Sequence, residues 1–313
     1  MTETLFNANE TKMETLRNRH ELVFIYDSKY SNPNGDPMEN NELRMINDKL
    51  VVTDVRLKRT IRDYLAEQWQ EIFVIEKVDK NWKVIDVKWR LKDTIWVKSE
   101  KDITQEHIKK LLREFIDIRL FWSAIKMKLT WPIQFNFGES MHKINQVRIS
   151  WTTVFSSGEN KWQGTFTEMF ISPYTIIAFH WVANEKWAEK TNMTEEDFNL
   201  LKEAIWNGTK NLITRSKFEQ LPRLLVDVKF KEWVKTHIWE LDKYIKFVKN
   251  EDILDERFIQ DIEDGVFDFV DFVERIKDFE DKVESIEIKK DKRVKIKNLP
   301  EKINEIQIKV EEI

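Results

Sequence analysis

VFIYDSKYSNPNGDPMENNELRMINDKLVVTDVRLKRTIRDYL, residues 23–65, is the most informative stretch of this 313-residue chain. Its apolar, β-branched and aromatic start predicts a strand over 21–27. Residues 28–52 are dense in Asn, Pro, Gly and Asp, which predicts a long loop. Thr53 or Asp54 can then cap a helix that runs to about residue 68. A strand, a turn-rich loop and a basic helix in this order make a surface suited to a phosphate backbone.

The helix carries four cations opposite its apolar stripe. At 100° per residue, the apolar side chains cluster within an arc of about 100°, and Arg56, Lys58, Arg59 and Arg62 occupy most of the opposite arc. We therefore expect the four cations to face outward together, either as a phosphate-binding surface or as an ordinary solvated helix face. The preceding loop favours binding, because a loop of that length inside a compact domain is usually functional.

Two further clusters are candidate nucleic-acid contacts. Residues 207–217, NGTKNLITRSK, end a second predicted helix with hydroxyls, amides and three cations. Cations there also suit the helix dipole, so a capping role is the alternative. Basic residues beside Phe135 and Phe137 form the other cluster, a mixture typical of single-strand binding, although a strand with buried Phe explains it equally. The cations of the two clusters are Lys210, Arg215, Lys217, His142, Lys143 and Arg148.

Composition excludes several classes of protein. Hydrophobic residues make up 41% and charged residues 35%, as in a globular chain with a heavily charged surface. There is no cysteine, so disulfides and thiolate chemistry are excluded. No window of 18 uncharged apolar residues and no signal pattern occur, so we expect a cytoplasmic protein without a membrane partner.

Charge is unevenly spread along the chain. The net charge is -4, but residues 251–313 hold 20 acidic and 12 basic residues, leaving 36 acidic and 40 basic in the rest. This asymmetry predicts a mildly basic body, residues 1–250, and an acidic C-terminal extension, residues 251–313. A local basic stripe is sufficient for phosphate binding, so the overall sign does not exclude it.

Common enzyme motifs are absent. The sequence contains no Walker A, GxGxxG, HExxH or GxSxG motif, and its five His lack metal-ligand spacing. Asp27 and Asp36 flank the long loop and could in principle hold a metal, although loop-capping roles are favoured. We therefore expect no cofactor, no metal and no catalytic residue.

The order of elements predicts an α+β fold with helices on one face of a sheet. A β-α-β-β-α-β core is one such arrangement. The remaining expected elements are a hairpin in 71–99, a helix from Thr104, strands in 129–155, a strand in 172–183, a helix in 194–212, a strand in 221–231, a helix in 267–277 and a hairpin in 286–297.

Tryptophan and glycine counts are anomalous. There are 13 Trp and 6 Gly, where ordinary usage of roughly 7% would give about 22 Gly. Asn81-Trp82 lies between two strand-like runs, where Asn-Gly would be the strongest hairpin signal. Trp131, Trp162 and Trp239 also lie in turn-like contexts. We hypothesise that many of these codons are UGA read as glycine; genuine tryptophans in the core or stacked on bases are the alternative.

Four motifs together resemble the backbone subunit of type I CRISPR Cascade complexes, the Cas-seven family, and most closely its type I-B (Csh-two-like) branch. The resemblance covers about residues 20–248. Its motifs are FIYDSKYSNPNGDP at 24–37, VTDVRLKRTIRDYL at 52–65, PIQFNFGESMHK at 132–143 and AIWNGTKNLITRSK at 204–217.

The resemblance implies an RRM-like (ferredoxin-like) palm with a finger-like insertion at about 66–130 and a thumb candidate at about 156–170. It implies antiviral defence by head-to-tail polymerisation along a guide RNA (crRNA), beside other Cascade subunits, with bases left free to pair with target DNA. The implied RNA contacts are Lys29, Asn32, Asn34, Lys58, Arg59, Arg62, Lys210, Asn211 and Arg215.

This chain also departs from the family pattern. Glu139 stands where a basic residue is expected after QFNFG. Glycine is expected at Trp122, Trp131, Trp162, Trp181 and Trp239, whereas Trp206 matches a family Trp. Two other functions remain open: a target-RNA endoribonuclease of the type III backbone kind using a loop aspartate such as Asp36, and a scaffold that polymerises without RNA.

Overall fold

A computed structural model describes residues 14–80, 82–97, 99–121, 129–152, 166–232 and 234–313. Within these ranges the helices are α1 (Asp54–Glu67), α2 (Val87–Ile95), α3 (Gln105–Glu114), α4 (Ile116–Leu120), α5 (Glu185–Thr191), α6 (Glu195–Asn211) and α7 (Val270–Lys277). The strands are β1 (His20–Ser31), β2 (Gly35–Asp36), β3 (Glu42–Leu43), β4 (Met45–Ile46), β5 (Lys49–Val52), β6 (Ile133–Phe135), β7 (Gly138–Ser140), β8 (Val147–Thr152), β9 (Phe166–Ala183), β10 (Gln220–Phe230), β11 (Lys246–Lys249), β12 (Gly265–Asp268), β13 (Val283–Lys290), β14 (Ile296–Lys297), β15 (Lys302–Ile303) and β16 (Ile306–Glu312).

One large sheet organises the described residues. Its strand order is β15-β16-β13-β10-β1-β9-β7-β5-β4, with β6 and β8 also paired to β9. The central strand β1 is antiparallel to both β10 and β9. Strand β13 continues the sheet antiparallel to β10, and β16 is parallel to β13. The sheet is therefore mixed, and its centre is antiparallel.

Side chains alternate across β1 to form two cores. Leu22 and Phe24 pack on one face with residues of α1 and α6, including Ile61 and Phe198. Val23 and its neighbours pack on the opposite face. A strand with both faces buried reads as a continuous apolar run, which explains the sequence LVFIY.

The second face of the sheet is covered by the C-terminal third of the chain. Phe267, Phe269, Phe272 and Ile276 lie in this second core beside Val226 of β10. The prediction of a mixed α+β fold is confirmed. The prediction that helices cover only one face is wrong, because α7 and its flanking strands pack on the other.

Strand β1 and helix α1 confirm their predictions, although β1 is longer than expected. The hairpin predicted over 71–99 is wrong in extent: a tight antiparallel turn with one bridge, between Val78 and Val84, is all that forms within the described residues, and α2 occupies residues 87–95. The Asp86 carboxylate caps α2 by accepting a hydrogen bond from the Trp89 backbone N–H. Leu91 of α2 is buried with Leu111 of α3 in a separate cluster. This tertiary packing overrides the weak alternation of the segment.

The hairpin predicted over 286–297 is also wrong. Both edges of β13 are occupied, by β10 and β16. Strand β14 instead pairs parallel to β12 in a small separate sheet. Both halves of the alternating segment do form strands, β13 and β14, but the turn between them connects the large sheet to the small one.

The predicted insertions are described only in part. The finger-like region 66–130 contains α2, α3 and α4, whose apolar side chains form a small core of their own. Residues 153–165, most of the thumb candidate 156–170, lie outside the described residues, and 166–170 begin β9. Among the described helices, none is both long and apolar enough for a membrane span.

Candidate nucleic-acid interface

The cations of α1 do not share one outward face. Arg59 is exposed, and its Nε lies 2.7 Å from a carboxylate oxygen of Asp63. Lys58 is largely covered, with its Nζ 2.8 Å from Asp54 and above the rings of Phe121 and Phe135. These i, i+4 pairs stabilise the helix modestly. Both residues hold local carboxylates that an RNA phosphate would have to displace.

Arg62 is buried, which makes the predicted outward orientation wrong at this position. Its Nε lies 3.0 Å from Oδ2 of Asp117, a carboxylate with no exposure. Asp117 also accepts hydrogen bonds from the backbone N–H groups of Phe73 and Val74. The periodicity correctly placed Arg62 on the arc of α1 opposite the apolar stripe, but residues 116–121 pack over α1 at that position.

Arg56 lines a small pocket at the opposite end of α1. The pocket walls are Tyr26, Val52, Arg56, Leu57, Thr60, Thr209 and Gln220. The Arg56 guanidinium donates to the Thr60 hydroxyl at 2.9 Å. Burial lowers the pKa of Arg56, which means that its charge is held in a partly desolvated position.

Lys217 lies close enough to Arg56 for the two charges to repel. Burial, and secondly Arg56, lower the pKa of the Lys217 amine. Its Nζ hydrogen-bonds the Ser216 hydroxyl at 3.1 Å. In the described part of the chain, the hydrogen bonds of these two cations go to hydroxyls and not to carboxylates. Asp63 lies close enough to attract Arg56 electrostatically, but neither cation hydrogen-bonds a carboxylate in the described residues, and such a pair is suited to an anion.

Buried polar atoms without partners in the described ranges occur in the pocket and in the neighbouring loop: Thr209 and Gln220 line the pocket, and Asn34 contacts Thr53 at the start of α1. Within the described residues, Nδ2 of Asn34, Oγ1 of Thr209 and Nε2 of Gln220 are buried and lack a hydrogen-bond partner. Such atoms cost free energy unless a ligand or water satisfies them. Each can donate a hydrogen bond. The pocket therefore combines positive charge with unused donors.

The long loop is fixed against the pocket by backbone contacts. Nδ2 of Asn32 donates to the carbonyls of Asn41 and Phe170, and its backbone N–H donates to the Ser216 carbonyl at 2.7 Å. Asn34 accepts from the Thr53 hydroxyl at 3.4 Å. The loop and the 207–217 motif thus meet. Asn32 is buried and holds the loop in position.

The 207–217 motif ends α6 with exposed polar groups. Lys210, Asn211 and Arg215 are exposed. The Arg215 guanidinium lies over the Trp151 ring of β8, 4.3 Å from its centroid. This places Arg215 beside the β8–β9 ribbon that leads toward the thumb candidate.

The remaining predicted residues lie apart from this group. Nζ of Lys29 lies 3.9 Å from Asp261. Lys143 is exposed, and its backbone N–H donates to Glu256. His142 is buried, so the prediction that it belongs to an exposed basic cluster is wrong. Its Nδ1 donates to the Lys143 carbonyl, and its Nε2 accepts from the Ile176 N–H.

His142 gives the fold a pH dependence. Burial lowers the pKa of His142 below 6.5, so the folded chain keeps it neutral while the unfolded chain protonates it. Stability therefore falls as pH drops below about 6.5, with a slope approaching about 1.4 kcal/mol per pH unit from this group. Urea unfolding at pH 7 and pH 5 measures this change in the free energy of unfolding. His142→Asn should reduce the slope, and an NMR titration midpoint of His142 at or above 6.5 would contradict the assignment.

The two candidate metal-binding aspartates are engaged by protein groups. Oδ2 of Asp27 is 2.8 Å from Nε of Arg223 and accepts a hydrogen bond from the Tyr174 hydroxyl at 2.7 Å. Asp36 accepts from the Met38 backbone N–H and pairs with Arg44 at 2.7 Å. Both act as structural acceptors here. In the described ranges no set of three or more His or acidic residues is positioned for a metal.

Glu139, the departure in the third motif, also has local partners. Its carboxylate lies 2.8 Å from Nζ of Lys49 and 3.6 Å from Nζ of Lys243. The hydrogen bond from Lys49 is the main reason that the pKa of Glu139 is lowered. The residue is therefore anionic and neutralises two nearby cations.

Of the seven residues that line the pocket, sequence reasoning selected only Arg56 as an RNA contact. Tyr26 and Thr209 were within quoted motifs but were not selected, and Gln220 lies in a strand. No local pattern marks them, because the pocket joins β1, α1, α6 and the start of β10. Beyond Arg56, the sequence could indicate only the neighbours of the pocket, which are Asn32 and Asn34 of the loop and the 207–217 motif.

Comparison with known proteins gives consistent matches. A family model described as CRISPR-associated protein Cas7 matches residues 18–269. A protein named CRISPR-associated protein Cas7 from Haloferax volcanii is 28% identical, over 90% of this chain and 89% of its own length.

Two solved structures share the fold. A chain of a CRISPR RNA-guided surveillance complex in a pre-nicking state aligns with TM-score 0.51 and 11% identity, over 86% of this chain and 92% of its own. A chain of another CRISPR RNA-guided surveillance complex aligns with TM-score 0.50 and 10% identity, over 87% and 88% of the two chains.

Proposed function

The chain belongs to the Cas7 family of CRISPR-associated proteins, and we propose that it binds guide RNA as the backbone subunit of an RNA-guided surveillance complex. In this proposal copies polymerise head-to-tail along the guide, beside other subunits, in a cytoplasmic type I-B complex. The protein holds the guide backbone, and base pairing with the target DNA strand reads the sequence.

The central sheet supports an RRM-like palm. Taking β1, β7, β9 and β10 as its four strands, the order β10-β1-β9-β7 is that of a β-α-β-β-α-β unit with α1 and α6 as the two helices. Both helices pack on the same face. The loop after β1 and the start of α1 then lie at one end of this palm.

The pocket at Arg56 is the observation that carries the proposal. It places Arg56 beside two buried donors, Thr209 and Gln220, that have no partner in the described residues. Lys217 lies close to Arg56, and Asn34 contacts Thr53 at the start of α1. Phosphate oxygens accept hydrogen bonds from such donors and neutralise such charges. A contact of this kind reads no base, as a guide-holding subunit requires.

We propose a set of RNA contacts that begins at this pocket and extends outward from it. Arg56 at the mouth of the pocket, with the neighbouring Lys217 and Asn34, binds a phosphate, and Lys210, Asn211 and Arg215 continue the path along the end of α6. Lys58 and Arg59 contribute after releasing their helix carboxylates. The other predicted contacts, Lys29, Asn32, Arg62, His142 and Lys143, lie outside the pocket or are held by protein groups, and we propose for them supporting roles.

Salt-dependent RNA binding tests the proposal. Fluorescence anisotropy with a mixed-sequence single-stranded RNA should give a dissociation constant that rises with salt. Arg56→Gln and Lys217→Gln should each weaken binding equally for unrelated sequences and reduce the slope of log K against log salt by about 0.7. Lys309→Gln, an exposed cation on β16, is the matched control and should change neither quantity.

An unchanged slope in the Arg56→Gln, Lys217→Gln double variant would remove the pocket from the RNA path. Filament formation has its own test: sizing after nuclease treatment should show smaller species if assembly follows RNA. Large assemblies that survive complete nuclease digestion would favour the RNA-independent scaffold.

The proposed role is non-catalytic. The ribonuclease alternative predicts metal-dependent cuts at regular spacing in complementary RNA, and their loss in Asp36→Asn. We expect intact RNA in both proteins, because Asp36 is held by Arg44 and the Met38 N–H.

A further inference from the structure

Four tryptophans lie on backbone that favours glycine. The φ angles are 63° at Trp69, 61° at Trp82, 59° at Trp96 and 61° at Trp239. In this left-handed region Cβ crowds the following carbonyl oxygen, so a bulky residue there is a genuine outlier. Glycine has no Cβ and adopts the same angles without that cost.

Trp69 and Trp96 terminate helices at the glycine position. After α1, the Trp69 N–H donates to the Ala66 carbonyl at 3.1 Å and the Gln70 N–H to the Leu65 carbonyl at 3.0 Å. This pair of bonds is a Schellman motif, in which the left-handed residue is usually glycine. After α2, the Trp96 N–H donates to the Lys92 carbonyl in the simpler left-handed cap.

Trp82 closes a tight turn in the same way. Its N–H donates to the Asp79 carbonyl at 3.1 Å, and the Asp79 N–H donates to the Lys83 carbonyl at 2.9 Å. In hairpin loops of this kind the left-handed residue that ends the turn is typically glycine. Trp239 precedes Glu240, which is also left-handed with φ 53°.

Three of the four side chains are almost fully exposed, and the fourth, Trp239, packs partly against the rings of His180 and His237. Trp69, Trp82 and Trp96 are 94%, 85% and 83% exposed, and Trp239 is 56% exposed. By contrast, half of the 14 described non-glycine residues with positive φ are Asn or Asp, which tolerate this region. None of the described glycines has a positive φ. The positions that most need glycine are thus occupied by tryptophan.

We propose that residues 69, 82, 96 and 239 are glycine in the protein as its source makes it, encoded by UGA codons that the source reads as glycine. Four such replacements change the counts from 6 Gly and 13 Trp to 10 and 9, which accounts for part of the anomaly in composition. Trp131 and Trp181 do not share the left-handed backbone and are buried, so the proposal does not extend to them. Trp122 and Trp162 lie outside the described residues.

This assignment changes how the surface is interpreted. Exposed indoles would otherwise suggest base-stacking platforms or a docking surface. With glycine at the four positions, that apolar area disappears and the turns become unstrained. The RNA interface then rests on the cations and amides around Arg56.

The gene and the natural protein provide the first test. We expect UGA at the four codons and glycine masses in the corresponding peptides of protein purified from its source. UGG codons or tryptophan masses at these positions would overturn the proposal.

Stability of variants provides a second, independent test. At each position Trp→Gly should raise the thermal midpoint by about 2 °C or more above Trp→Ala, because alanine retains the Cβ that crowds the carbonyl. Trp89→Gly is the matched control, since Trp89 is a partly exposed residue inside α2, seven residues before Trp96. It should lower the midpoint, because glycine destabilises a helix interior. Glycine variants no more stable than their alanine counterparts at 69, 82, 96 and 239 would contradict the assignment.

Discussion

Arg62→Ala is expected to lower the free energy of unfolding by roughly 3–5 kcal/mol. The substitution leaves the Asp117 carboxylate, which has no exposure, without its guanidinium partner. Removing one member of a buried ion pair costs more than the pair contributes, because the remaining charge stays desolvated. Asp117 also holds the backbone of Phe73 and Val74, so the start of the finger-like region should loosen as well.

Arg59→Ala is the matched control for this prediction. It removes an arginine from the same helix, but the pair that it breaks with Asp63 is exposed, and such pairs contribute at most about 1 kcal/mol. Urea unfolding followed by circular dichroism compares the two variants. An Arg62→Ala protein as stable as Arg59→Ala would mean that Asp117 finds another partner or is neutral in the fold.

The same comparison separates folding from RNA binding. An alanine variant combining Lys58, Arg59 and Arg62 would lose RNA affinity through the fold even if none of the three touched RNA. Binding experiments should therefore use variants of Arg56 and Lys217, because these two cations donate hydrogen bonds to hydroxyl groups and form no buried ion pair in the described residues. Only these variants test the phosphate contact without removing a buried ion pair.

Helix α1 shows what the sequence could and could not predict. Its limits and its apolar stripe follow from residues 53–68, because period and capping are local properties. The burial of Arg62 depends on residues 116–121, about fifty positions away. Likewise the pocket brings Tyr26, Thr209 and Gln220 together only through the pairing of β1 with β10 and the packing of α6 on the sheet.

The C-terminal region shows the same limit more strongly. Charge predicted a boundary near residue 250, and that boundary remains a prediction. The charge pattern, however, depends on exposed side chains, whereas the isoleucines and phenylalanines between the charged residues determine how this region packs on the sheet. Because β13 pairs with β10 over residues 283–290, the end of the chain completes the central sheet.

Truncation after Asn250 is expected to abolish cooperative folding. Residues 251–313 supply 13 of the 25 buried residues in the core on the second face of the sheet. Their removal would expose Val226, Val228 and Phe230 and leave the β10 edge unpaired. An exposed apolar edge strand of this kind promotes aggregation.

The same truncation would remove the ion pair between Arg223 and Asp291. Arg223 contacts Asp27 and Asp291 at 2.8 Å each. Without Asp291, Arg223 keeps Asp27 as its one remaining carboxylate partner in the described residues. We therefore expect the chain 1–250 to be recovered only as insoluble or unfolded protein, without a thermal transition and without salt-dependent RNA binding.

Neutralising charge without removing the core is the matched control. Glu251, Asp252, Glu301 and Glu305 are exposed, and replacing them by Gln or Asn removes four negative charges while keeping every buried side chain. This variant should keep the thermal midpoint within a few degrees of the parent, since surface charges act weakly. If the chain 1–250 instead folds cooperatively and binds RNA like the parent, residues 251–313 form a separable extension, as the charge boundary predicts. If the neutralised variant also fails to fold, the acidic surface itself is needed for stability, and packing alone does not explain the role of this region.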